Sequence, residues 1–202
     1  METTENTLSN GLRLIVLPDA SNPQRPWTTG AITLNVGFLC PSVMPGIPHL
    51  VEHCCGDELN ELLVTTFGGH MTDNTVTHKD TTTYGFEFPT GCCEEALKLV
   101  MGRIFGPNPT AEQVSSAIDK ITGEFEYRSR NMSAEDARRR ICEVMSGRAY
   151  CEGTAESLGS QQSSEGRCQL LKTMANVESF VFNYHRPGRA ALVLRTSCAY
   201  SS

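Results

Sequence analysis

No apolar run in this 202-residue sequence approaches the length of a membrane span. The amino terminus, Met1-Glu-Thr-Thr-Glu-Asn, is acidic and polar where a secretory signal is basic and then apolar, so the expected location is cytoplasmic, with no membrane partner. Low-complexity tracts and internal repeats are also missing, and a hydrophobic fraction of 39% against 20% charged residues places the chain among globular proteins. Positive charge is scarce. A net charge of −6 gives no general support for nucleic-acid binding, and the one basic cluster, Arg138-Arg139-Arg140, lies among Glu135, Asp136 and Glu143 as a salt-bridged helix face would. The nine cysteines contain no C-x-x-C, and Cys54-Cys55 and Cys92-Cys93 are adjacent. That odd, clustered set argues against a disulfide framework or a cysteine zinc cluster, and for buried apolar thiols.

The elements follow from local patterning. Residues 8–17 form two β-type runs around Asn10-Gly11, a hairpin signal, and Ala31 to Leu39 is a second strand candidate beyond a proline-rich loop. Pro48 suits the first turn of a helix that Gly56 is expected to break or bend, with Gly68-Gly69 as its stop. Residues 75–88 are rich in threonine and aromatics and predict a strand. Helices are expected over 94–105, from a Thr110/Gln113 capping box carrying the stripe Val114, Ile118, Ile121, Phe125, from a Ser133 cap through Ala137, Ile141, Val144 and Met145, and over 169–183. The polar stretch 159–166 reads as a surface loop and residues 189–195 as a closing strand. Together these predict an α+β fold, a mostly antiparallel sheet with helices packed on one face, as a single domain over 1–202.

Chemistry concentrates in His49-Leu-Val-Glu52-His53, the inverted zinc motif H-x-x-E-H. On a helix, residues four apart share a face, so both imidazoles can reach one ion. Glu52 then stands beside the metal without being a ligand. A catalytic zinc takes three protein ligands and keeps one open position, and a neighbouring carboxylate can take a proton from water and pass it to a departing amine.

The sequence resembles the pitrilysin (insulinase) family of metallopeptidases along most of its length. Thr7-Leu-Ser-Asn-Gly-Leu-Arg13 is similar to the family's opening hairpin, and Gly46-Ile-Pro-His-Leu-Val-Glu-His53 to its zinc helix. Phe67-Gly-Gly-His-Met-Thr-Asp-Asn74, with Thr77 and Thr83-Tyr84, resembles its glycine pair, asparagine and threonine–tyrosine strand. Glu152-Gly-Thr-Ala-Glu-Ser-Leu158 and Tyr184-His-Arg-Pro-Gly-Arg189 match later landmarks in order. The resemblance implies a single Zn2+ ion held by His49, His53 and a glutamate on the segment 118–127, with Glu52 as the catalytic base. Glu124 takes the ligand position when Ile121 and Phe125 occupy the apolar places, and Glu126 is its competitor. Asn74 is implied as a substrate contact on an edge strand, set against the plain reading of a turn asparagine.

The sequence departs from the family at several points. The stretch from His53 to Gly68 is short and carries Cys54-Cys55-Gly56, and an outer carboxylate that the family places before the metal glutamate is Ala117 here. Oxidation of Cys54 and Cys55 is expected to disturb the zinc helix. The family pairs a zinc lobe with a metal-free one, whereas this sequence corresponds to the zinc lobe without the usual C-terminal elements. These readings imply a zinc metalloendopeptidase that cleaves peptides, leaders or a small aminoacyl amide. Its expected partner is a homologous metal-free subunit, with a homodimer as the symmetric alternative. The competing reading is a non-catalytic homologue that holds a peptide or a partner, which zinc analysis of the purified protein separates.

Overall fold

The structure, a computed structural model, describes residues 2–19, 26–40, 44–134, 158–159 and 164–197. The chain opens with a hairpin of β1 (Thr4–Thr7) and β2 (Arg13–Pro18), paired antiparallel from Thr4↔Val16 to Thr7↔Arg13. β3 (Trp27–Leu34) follows, then the long helix α1 (Ile47–Phe67). Two short strands, β4 (His70–Met71) and β5 (Val76–Thr77), precede β6 (Thr82–Pro89). The remaining α-helices and strand among the described residues are α2 (Cys93–Ile104), α3 (Ala111–Arg130), α4 (Ser164–Tyr184) and β7 (Ala190–Thr196).

The sheet runs β1-β2-β7-β3-β6-β4, and β5 also pairs with β6. All pairings are antiparallel except β2 with β7, so the expected α+β architecture is observed. Period-two alternation sends Ile32, Leu34, Tyr84, Phe86, Phe88, Leu192 and Leu194 into the core, while Thr33, Ala31, Thr83 and Val193 on the other face are only half-buried. The helices cover the first face. α1 lies innermost: every residue from Ile47 to Glu52 is buried, because the sheet lies on one side and α3 and α4 on others.

Both ends of α1 are set by glycine. Gly46 at φ +88° and Gly68 at φ +69° adopt left-handed conformations that a side chain disfavours, and the amides of Gly68 and Gly69 close the last turn onto Val64 O and Leu63 O. Gly56 does not break the helix. One interior glycine costs only about 1 kcal/mol of propensity, and the packing on both sides of α1 overrides it. The residue faces the cleft described below, where a Cβ would meet Thr75 Cγ2 at 3.6 Å.

Other boundaries also differ from the sequence reading. β3 starts four residues earlier and stops at Leu34, since Phe38 and Leu39 bond instead to the carbonyls of His78 and Lys79 in a turn. That turn splits the stretch 75–88 into β5 and β6. α4 begins at Ser164, so the end of the expected polar loop is helical. The capping box of α3 forms in both directions, with Thr110 N–H donating to Gln113 Oε1 at 2.7 Å and Gln113 N–H to Thr110 Oγ1 at 3.3 Å. Its stripe Val114, Ile118 and Ile121 is buried, joined by Ala117. The Ser133-capped helix, the arginine cluster and nearly all of the 152–158 landmark fall outside the described residues.

Candidate metal centre and active-site cleft

α1 and α3 bring the motif together. His49 and His53 are one turn apart on α1, with ring centroids 4.9 Å apart, and both present Nε2 to the Glu124 carboxylate of α3. The distances are 3.3 Å from His53 Nε2 to Glu124 Oε1 and 3.7 Å from His49 Nε2 to Glu124 Oε2. One ligand atom from each residue lies within 4.8 Å of the others, a grouping that could hold a metal ion. Tetrahedral zinc with bonds of about 2.0–2.1 Å needs ligand atoms separated by about 3.3 Å, and two imidazoles with one carboxylate make a donor set suited to catalytic zinc. The residues present fit the ion. Glu126 points elsewhere: it is exposed and paired to Arg130 at 3.1 Å on its own helix.

Glu52 is buried beside this group, 8% exposed. Burial raises its carboxyl above the ordinary carboxylate range, against the opposing pull of His53, His49 and the Thr77 hydroxyl, which donates to Glu52 Oε2 at 3.1 Å. His53 moves up to about 9: burial works to lower it, but Asp57, Glu124 and Glu52 together outweigh that effect. For Asp57 too, burial opposes ionisation, and His53 and Lys120 hold the carboxyl below its usual value.

A cleft of about 430 Å³ opens over these groups, walled by Phe38 and Gly56 and by the β4–β5 segment residues Met71, Thr72, Asp73, Thr75 and Thr77. Asn60 on α1 fastens that segment by accepting the Met71 N–H at 2.9 Å. Asn74 is not among the lining residues. It occupies the exposed turn between β4 and β5, with its Cβ directed over Gly85.

Three further residues not expected as site residues lie here: Thr77 on Glu52, Asp57 beside His53, and Lys120 paired with Asp57. Asp57 lies one turn after His53 and Lys120 one turn before Glu124, a signal that gains meaning only when α1 and α3 are known to face each other. The paired cysteines take no part in the cleft. Cys54 and Cys55 are 3% and 4% exposed, and burial raises both thiols, that of Cys55 to about 11. Such thiols are poor nucleophiles, so the structure gives no support to an oxidant switch there.

No family model and no curated protein matches the sequence. Solved structures do. The crystal structure of pitrilysin superposes over 98% of this chain with a TM-score of 0.76 at 17% identity, covering 21% of that protein. A protein described as an M16-like peptidase, from Alicyclobacillus acidocaldarius, superposes over 98% with a TM-score of 0.72 at 17% identity, covering 46% of its chain. The chain has the fold of one pitrilysin-type lobe. It spans less than half the length of either neighbour. In this pitrilysin-type lobe the described residues include no helix long and apolar enough to cross a membrane.

Proposed function

We propose that this chain is the metal-bearing lobe of a zinc-dependent peptidase, with His49, His53 and Glu124 holding the ion and Glu52 acting as general base and then general acid. The observation that carries the reading is the convergence of both Nε2 atoms on the Glu124 carboxylate with the buried Glu52 alongside. Zinc held there would supply a Lewis acid that acidifies water and polarises a carbonyl. Glu52 takes one proton from the attacking water on its carboxylate, with Thr77 orienting Oε2. As the C–O bond forms and the C–N bond breaks, the carboxyl returns that proton to the leaving nitrogen, giving an acid and an amine. Burial raises the Glu52 carboxyl, the direction that makes its carboxylate a stronger base.

Peptides or leader segments are the proposed substrates. β4 is the last strand of the sheet, so an extended chain can lie beside it with its scissile bond over the cleft, and Asn74 stands near enough in that turn to meet a flanking residue. An unlike, metal-free lobe facing the cleft is the proposed partner. Metal analysis of the purified protein tests the ligand set. Wild type should carry one zinc per chain, His49→Ala and Glu124→Gln should lose it, and Glu126→Gln should keep it. A wild-type protein without zinc would favour the non-catalytic homologue, and loss in Glu126→Gln but not Glu124→Gln would reassign the third ligand.

A further inference from the structure

Beside the His53–Glu124 contact lies a second pair joining the same helices. Asp57 follows His53 by one turn of α1, and Lys120 precedes Glu124 by one turn of α3, spacings that keep each couple on one helix face. Lys120 Nζ lies 2.7 Å from Asp57 Oδ2, so residue 53 meets 124 and residue 57 meets 120, and the helices run in opposite directions here. His53 therefore stands between two carboxylates, with Nε2 toward Glu124 at 3.3 Å and Nδ1 toward Asp57 Oδ2 at 3.8 Å.

We infer that Asp57, held by Lys120, is a positioning residue: it fixes the register of α1 against α3 and turns the His53 ring so that Nε2 is the nitrogen aimed at Glu124. The inference rests on the metal-site reading above. Stability is a poor explanation for the pair, because the Asp57 and Lys120 side chains are 42% and 50% exposed and exposed ion pairs add little. Orientation is the better one. A metal-binding histidine commonly has its other ring nitrogen directed at a carboxylate, and losing that group weakens metal binding more than folding. Ala117 on α3, 1% exposed, offers no carboxylate for the task.

The experiment uses the whole chain and three measurements: zinc affinity by competition with a chelating dye, the visible spectrum of the cobalt(II)-loaded protein, and the melting temperature without metal. Asp57→Asn should raise the zinc Kd about 10- to 100-fold and alter the cobalt spectrum, with melting nearly unchanged. Lys120→Met, which leaves every group touching His53 in place, should raise Kd by a smaller factor. The exchange Asp57→Lys with Lys120→Asp rebuilds an ion pair without a carboxylate at position 57 and should remain weak. Wild-type affinity and spectrum in both single variants overturn the inference, as does full recovery in the exchange, which would make register alone the cause. Failure of the wild type to bind zinc brings down the site reading itself, and it is visible before any variant is compared.

Discussion

Thr77 donates its hydroxyl hydrogen to Glu52 Oε2 at 3.1 Å, tying the short strand β5 to the helix that carries both histidines. This bond favours the ionised carboxylate, while burial favours the neutral acid. In Thr77→Val the Glu52 carboxyl therefore moves further up, and the acid limb of the kcat/KM profile shifts to higher pH with the plateau largely kept. Glu52→Gln should lower kcat by about 10²- to 10⁴-fold with zinc still bound. Profiles measured on a fluorogenic peptide check both, and an unmoved acid limb in Thr77→Val removes Glu52 from the base role.

Gly85 sets how close the cleft wall lies to the sheet. A Cβ there would stand 2.3 Å from Thr72 Oγ1 and 3.0 Å from Asn74 Cβ, on a residue whose N–H and C=O both bond the Thr75 hydroxyl at 3.1 Å. Gly85→Ala should push the β4–β5 turn outward at a stability cost of about 1–3 kcal/mol. Since α1 and α3 are untouched, zinc content should be normal and KM should rise more than kcat falls. Equal losses in both would mean that the turn does not bind substrate.

The parts of this architecture that were readable in sequence are those with local causes. The α3 stripe has helical period, the capping box satisfies its own amides, and H-x-x-E-H places its side chains by helix geometry alone. Gly56 misled because a propensity of about 1 kcal/mol is smaller than the packing around α1. β4 and β5 have two residues each, too few for any pattern, and exist because β6 supplies their hydrogen bonds. The contacts Thr77–Glu52 and Asp57–Lys120 join separate elements, so no local spacing reveals them. Glu126 stays a competitor of Glu124 in the sequence, because both lie on one helix and only the facing of α3 against α1 separates them: Glu124 meets the histidines and Glu126 pairs with Arg130.

His185 is a buried group with a definite pH signature. It is 4% exposed, its Nδ1 lies 3.0 Å from Ile104 O, and its ring meets Tyr84 and Phe180 edge-on. Burial lowers its pKa from 6.5 to about 4, against the weaker upward effect of the Ile104 contact. Below pH 6.5 the unfolded chain binds this proton before the folded one does. The stabilising contribution is thus complete above the unfolded value and is lost as pH falls toward 4, a total of about 3 kcal/mol. His185→Asn can retain a donor toward Ile104 O but does not titrate. Urea unfolding at several pH values should show the wild-type advantage shrinking between pH 6.5 and 4, and parallel curves would refute the assignment.

Among the described residues the cleft is closed on the α1 side and open on the other: His49 and Glu52 are each 8% exposed, whereas the Glu124 side chain is 39% exposed. A peptide lying here is held from one direction and wetted from the opposite one. Water left in the site screens the carboxylate and imidazole charges, and groups that orient a substrate across from His49, His53 and Glu124 have to come from a surface facing them. The second lobe proposed above would supply such a surface. An unlike lobe suits the proposal better than a second copy, because a two-fold pair would set two acidic clefts against each other in place of one cleft and one substrate clamp. Expressed alone, the chain should bind zinc normally but hydrolyse peptide at least about 100-fold more slowly than in the presence of a metal-free homologous lobe. Mass measurement in solution together with activity decides the matter. Rescue by the homologous lobe, with the mass of a one-to-one complex, is the expected result; a fully active monomer would show that the open side of Glu124 needs no cover.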